Sequence, residues 1–239
     1  MKKYVLCIIW GLSVWCAAVR LSALDLSQAL SVRCGPNRQT GSKKTELNAD
    51  AVYALSSRWF TVCGGASVDA ETLHLSLCAL GSAGFELPWF CAGAGAGLLY
   101  HDLWMYDILF EQDIAFMAGA HAGCPASGTR LYYIMYWGQK RSTVYAVRSA
   151  CPVMTDYLVN YDAGIAQDIL RTSWRLGVAT WSFFRHDLRY IPELYLYGKV
   201  RIVPAVSCIA SVQVLFSDMS NKTCHPEYVF CKAGIEWQF

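Results

Sequence analysis

Lys232-Ala233-Gly234-Ile235-Glu236-Trp237-Gln238-Phe239 closes the chain, and these eight residues alternate. Ala233, Ile235, Trp237 and Phe239 share one side, and Lys232, Gly234, Glu236 and Gln238 share the other. Val229 and Cys231 extend the apolar set backwards. Strict alternation over this length predicts a half-buried strand, because successive side chains of a strand point to opposite faces. The strand stops on an aromatic side chain, whereas the ends of soluble domains are normally polar and frayed.

The pattern polar, any, Gly, any, any, aromatic, any, aromatic resembles the C-terminal signal of bacterial outer-membrane β-barrel proteins. Lys232, Gly234, Trp237 and Phe239 fill its fixed places. The resemblance implies an all-β fold, a closed antiparallel transmembrane β-barrel in an up-and-down meander. It also implies a lipid bilayer around the chain and a barrel-assembly machinery that reads the last strand. A terminal aromatic then belongs to an interfacial girdle. The last edge strand of a soluble β-sandwich is the competing reading of the same residues.

The other end of the chain agrees with export. Lys2 and Lys3 precede an apolar run from Tyr4 to Val19, and Leu21-Ser22-Ala23 offers a cleavage site. Residues 1–23 therefore read as a signal peptide, and residues 24–239 as a single barrel domain. The run is interrupted by Gly11 and Ser13 and is shorter than the ~20 residues a helical span needs. A lipoprotein acylated at Cys16 is the alternative, with bulky Trp15 against it. Beyond residue 23 no stretch of ~18 uncharged apolar residues occurs, so no helical span is expected. Yet the chain is 55% hydrophobic and 16% charged, with mean hydropathy +0.28. Lipid outside and a partly polar inside account for both facts. Of the 20 basic residues three lie in the signal, which has no acid; 17 remain against 18 acidic. Such a balance gives no basis for nucleic-acid binding.

Between the two ends, short alternating runs are separated by turn signals. They are Leu30–Cys34, closed by Gly35-Pro36; Ala51–Cys63, turned by Gly64-Gly65; Leu73–Ala79; Phe90–Leu98; Ile114–Ala122; Leu131–Trp137; Thr143–Ala150; Leu170–Val178; Leu194–Ile202; Val206–Phe216; and the last strand. Residues 138–141 read as a hairpin turn. Asn37–Asn48 and Cys151–Asp168 read as loops. His101–Gln112 reads as an aromatic-rich turn or one short helix. The seven prolines fall at or near these boundaries. About ten or eleven candidates result, and bacterial barrels use even numbers. Eight to ten strands are expected, the size class of OmpA, OmpX and OmpW.

Arg171, Arg175, Lys199, Arg201 and Lys232 alternate with apolar residues on the late strands, and Glu236 is the clear acid among them. A midplane Arg or Lys facing lipid costs about 2–4 kcal/mol, so these side chains are expected in the lumen or at a rim. A polar plug and a basic channel for small hydrophobic or anionic solutes both fit. The glycines of Cys91–Leu98 make room for lumen side chains of neighbouring strands. A non-channel scaffold is the alternative function, with Asn37–Asn48 and Cys151–Asp168 as loops for adhesion or host surface ligands.

No catalytic constellation appears, and the chain does not read as an enzyme. His101-Asp102 and His186-Asp187 place neighbours on opposite faces of a strand, with no serine to match. His74 and His121 read as lumen fillers. No CxxC or Cys/His spacing suggests a metal, and no cofactor is implied. Cys91, Cys208 and Cys231 read as small apolar residues facing lipid. Cys124 and Cys151 follow strands judged to run the same way, which makes them the candidate disulfide. A closed barrel has no free edge, so a monomer is expected.

Overall fold

The computed structural model describes residues 26–41, 45–57, 59–69, 72–105, 109–146, 149–150, 154–180, 192–216 and 225–239. The segment expected to be the signal peptide lies outside them, as do Cys151 and the His186-Asp187 pair. The strands are β1 (Ser27–Gln39), β2 (Thr45–Ser56), β3 (Phe60–Val68), β4 (Thr72–Glu86), β5 (Cys91–Met105), β6 (Leu109–Cys124) and β7 (Thr129–Ala146), then the two-residue stub β8 (Ser149–Ala150), β9 (Met154–Ile169), β10 (Thr172–Ala179), β11 (Glu193–Val203), β12 (Val206–Phe216) and β13 (Pro226–Gln238).

Each strand pairs antiparallel with its neighbours in the chain, except that β8 only folds back on the end of β7. The circle closes where β1 meets β13, with Leu30 opposite Trp237 and Arg33 opposite Gly234. Among the described residues twelve strands form this all-β, closed up-and-down barrel. Twelve replaces the expected eight to ten, and with that count goes the basis for the OmpA/OmpX/OmpW size class.

Three local readings explain the difference. Ala51–Cys63 is two strands. The turn between them is made by a serine: the Trp59 and Phe60 amides donate to Ser57 Oγ at 3.1 and 3.2 Å, and the Ser57 amide donates to the Phe60 carbonyl at 2.8 Å. Gly64-Gly65, read as the turn, lies inside β3, where a Cβ on Gly64 would touch Leu77 Cδ2 at 3.1 Å. Residues 138–141 do not turn; they stay in register with β6 on one side and β9 on the other. Most of Cys151–Asp168, read as a loop, is β9. The readings at 35–36 and 37–48 change as well. β1 runs through Pro36 to Gln39, and Thr45 already belongs to β2. His101–Gln112 contributes the end of β5 and the start of β6.

Short turns gather at one end of the barrel, at 57–59, 87–90, 125–128, 170–171 and 204–205, together with the C-terminus. The opposite end carries the other connections, the longest of them the 13 residues 180–192. Outer-membrane barrels have the same asymmetry of short turns and longer loops.

The surface is inside out for a water-soluble protein. Every barrel strand bears at least one exposed large apolar side chain, from Val32 on β1 and Leu47 on β2 round to Val212 on β12 and Ile235 on β13. Leu77, Leu98 and Leu131 are 58%, 59% and 62% exposed. Soluble monomers rarely expose apolar patches beyond a few hundred Å², and here the apolar surface is a belt. Trp59, Phe85, Trp89 and Phe239 edge it at the short-turn end, all exposed, and Phe90 packs beside Phe85 with ring centroids 5.9 Å apart. No helix among the described residues is long and apolar enough to cross a membrane. The strands supply the apolar surface instead.

Candidate functional site: the barrel lumen

Alternation sends the second set of side chains inwards. On β1 and β2 that set includes Arg33 and Asp50, and on β13 it includes Lys232. Arg33 grips Asp50 with two hydrogen bonds, Nε to Oδ1 at 2.8 Å and Nη2 to Oδ2 at 3.1 Å. Lys232 Nζ donates to the same Oδ2 at 2.7 Å. All three residues are buried. One carboxylate thus holds two cations, and the cluster keeps a net positive charge. Nearer the C-terminus, Lys199 Nζ lies 2.5 Å from Glu236 Oε1, and Gln238 Nε2 donates to that oxygen at 3.1 Å.

A second cluster crosses β7, β9, β10 and β11. Tyr132 is in register with Gly164, Gly164 with Gly177, and Gly177 with Tyr195. The two glycines leave a bare floor, and the two tyrosyl hydroxyls meet over it. A Cβ on Gly177 would stand 2.6 Å from the Tyr195 hydroxyl and 2.7 Å from that of Tyr132. Tyr195 also donates to Asp162 Oδ1 at 2.6 Å, and Arg175 lies within electrostatic reach of Asp162, Tyr132 and Tyr197. The same device recurs on β5, where His121 covers Gly93 so closely that a Cβ would fall 2.5 Å from its Cε1.

Towards the loop end the interior is filled. Asn48, Ser67, His74, Ser76, His101, Glu111 and Asn160 are buried there. Ser67 Oγ donates to Asn48 Oδ1 at 3.3 Å, and His74 and His101 meet edge to face at 4.9 Å. Below them a cavity of about 500 Å³ remains, reached by side chains from all twelve barrel strands. Eight strands leave room only for side chains; twelve leave this space.

Arg175, Lys199, Lys232 and Glu236 therefore lie in the lumen. Arg171 and Arg201 do not reach its middle. Arg171 stands in the two-residue turn between β9 and β10, and its carbonyl accepts the Arg201 amide at 2.8 Å; both are exposed at the short-turn rim. Among the described residues the interior is not predominantly basic. Arg33, Arg175, Lys199 and Lys232 are matched by Asp50, Asp162, Glu193 and Glu236, and Glu111 is buried as well. Parity counted along β1, β2 and β9 would have found Arg33, Asp50 and Asp162; no comparable pattern marks Tyr132 and Tyr195 as partners.

At the C-terminus Gly234 is required by a close approach, since a Cβ there would sit 1.9 Å from the Val32 carbonyl oxygen. Trp237 and Phe239 lie on the outer surface, both exposed. Cys208 and Cys231 are exposed as expected for the lipid face, but Cys91 is buried. The strand read as Thr143–Ala150 is the end of β7 and the stub β8, which run antiparallel to each other. Cys124 lies at the short-turn end, and its expected partner is outside the described residues. His101 points inwards and Asp102 outwards, where Asp102 accepts the Tyr100 hydroxyl at 2.7 Å. Tyr132 and Tyr136 belong to the lumen. No group of three His, Cys, Asp or Glu side chains able to hold a metal occurs among the described residues.

No family model matches the sequence, and no curated protein does. Solved structures do match. The KdgM porin in complex with disordered oligogalacturonate superposes with TM-score 0.55 at 8% identity, over 88% of this chain and 99% of the porin. The NanC porin gives TM-score 0.52 at 8% identity, over 87% and 98%. Outer membrane phospholipase A from Escherichia coli gives 0.51 at 8% identity, over 88% and 95%. What is shared at this identity is the fold, the closed antiparallel barrel of bacterial outer-membrane proteins.

Proposed function

We propose that the protein resides in a bacterial outer membrane and acts as a narrow channel for small solutes. The apolar belt supports the location. The observation that carries the activity is the cavity of about 500 Å³ inside a closed barrel, with the charged side chain of Arg175 exposed within it. Two of the neighbours in fold are porins. Because acids match bases in the lumen, the channel takes small polar or amphipathic solutes without the general anion preference that the late strands alone suggested. The Arg33–Asp50–Lys232 cluster narrows the path and excludes large solutes. Osmotic swelling of proteoliposomes is the test. Vesicles with the refolded protein swell in arabinose and do so less as the sugar grows; vesicles that do not swell in any sugar contradict the proposal.

A closed scaffold is the second reading, favoured by the buried polar filling of the loop-side half. Its candidate binding loops have shrunk, since β1, β2 and β9 take most of 37–48 and 151–168.

A further inference from the structure

The cavity wall changes character halfway round. β4 to β7 face it with Cys78, Leu80, Leu99, Met117, Ile134 and Tyr136, a mainly apolar wall. The wall from β9 round to β1 is predominantly charged, hydroxylated or amidic. In the strand order β11 to β1 stand opposite β4 to β7, and β9 and β10 stand opposite β2 and β3.

Within the polar arc one cation differs from the rest. Arg33 and Lys232 are held by Asp50, and Lys199 by Glu236. Arg175 is exposed to the cavity and makes no hydrogen bond or ion pair with any described residue. Asp162, the acid within electrostatic reach, already accepts the Tyr195 hydroxyl. A guanidinium in this state keeps its planar fork of N–H donors, which matches a carboxylate in two parallel hydrogen bonds. The apolar wall begins two strands away, at β7, and lines the same cavity; such surface gains by covering with hydrocarbon. The volume falls in the roughly 300–1,000 Å³ range of small-molecule sites.

We propose that the cavity binds small amphipathic carboxylates, with the carboxylate on Arg175 and the hydrocarbon against the β4–β7 wall. This rests on the lumen being open to solutes, as in the proposed function, and names the class it selects. Saturated fatty acids of four to eight carbons are suitable probes. They are titrated calorimetrically into the folded full-length barrel in amphipol, with empty amphipol as the blank.

Octanoate binds with a stoichiometry near one, and affinity rises by about fourfold for each methylene that becomes buried. Arg175→Gln weakens octanoate by at least about tenfold, the effect of losing charge-assisted hydrogen bonds. Arg175→Lys, which keeps the charge and loses the fork, falls between. Each variant's heat-modifiable gel shift reports its folding. The inference is overturned if folded protein does not bind octanoate, if octanol binds as tightly as octanoate, if galacturonate binds more tightly, or if both Arg175 variants bind like the parent. Vesicle swelling that persists without octanoate binding removes this inference and leaves the channel. Arg175-dependent binding without swelling supports the site and removes the channel.

Discussion

Asp50 carries two cations on one carboxylate at the middle of the barrel, and each partner's removal has a different consequence. Lys232→Ala leaves the bidentate Arg33–Asp50 pair intact and neutral. Asp50→Ala leaves two buried cations side by side, and breaking a buried pair in this way costs about 3–5 kcal/mol. The expected outcome in urea titrations of the folded barrel is a large loss of stability for Asp50→Ala and a clearly smaller one for Lys232→Ala. Equal losses would show that charge balance is not what Asp50 supplies. Gly164→Ala should be harder to accommodate than Gly177→Ala. The new methyl at 164 meets the Leu176 carbonyl oxygen at 2.3 Å, whereas at 177 it meets the ends of tyrosine side chains, which can move. A lower urea midpoint for Gly164→Ala than for Gly177→Ala checks this. At this scale the sequence was half legible. Parity on the last strands placed Arg175, Lys199, Lys232 and Glu236 inside. It did not show that Arg171 falls in a turn or that acids on earlier strands balance the bases, because both depend on where other strands begin and end.

Strands were legible where apolar and polar residues alternate cleanly, as in β4, β11 and β12, and illegible where the inward set is polar enough to resemble a loop. β9 carries Asn160, Asp162, Gly164 and Asp168 on one face, which masks Val159, Tyr161 and Ile165 on the other. Residues 138–141 misled for a related reason: a barrel strand runs past the apolar belt, and polar residues there continue the ladder. Ser57 made a turn with its hydroxyl where a glycine was expected. The outward face yields a direct prediction. Leu196, 48% exposed on β11, should tolerate Arg poorly, at about 2–4 kcal/mol near the bilayer midplane. Ser173→Arg, directed into the cavity, should leave folding intact and reduce vesicle swelling. A Leu196→Arg barrel as stable as the parent in lipid would contradict the assignment of faces. On β13, deletion of Phe239 should lower the yield of assembled, heat-modifiable barrel in outer-membrane fractions, while Lys232→Ala should not. Equal yields would mean that the terminal aromatic plays no part in assembly.

At the scale of the molecule, the fold class was legible from the last strand and the composition and alternation of the chain before it. Strand number was not, and the number matters: twelve strands enclose a cavity where eight would be filled by side chains. The halves of that interior differ, the loop side lined with buried polar groups and the turn side open around Arg175. The most direct test of the channel is single-channel recording of the refolded protein in a planar bilayer under a salt gradient, with Arg175→Glu beside the parent. Discrete conductance steps are expected, with the reversal potential of Arg175→Glu shifted towards cation selectivity. A silent bilayer from protein that is folded by its gel shift, or steps whose selectivity is the same in both proteins, would contradict the account.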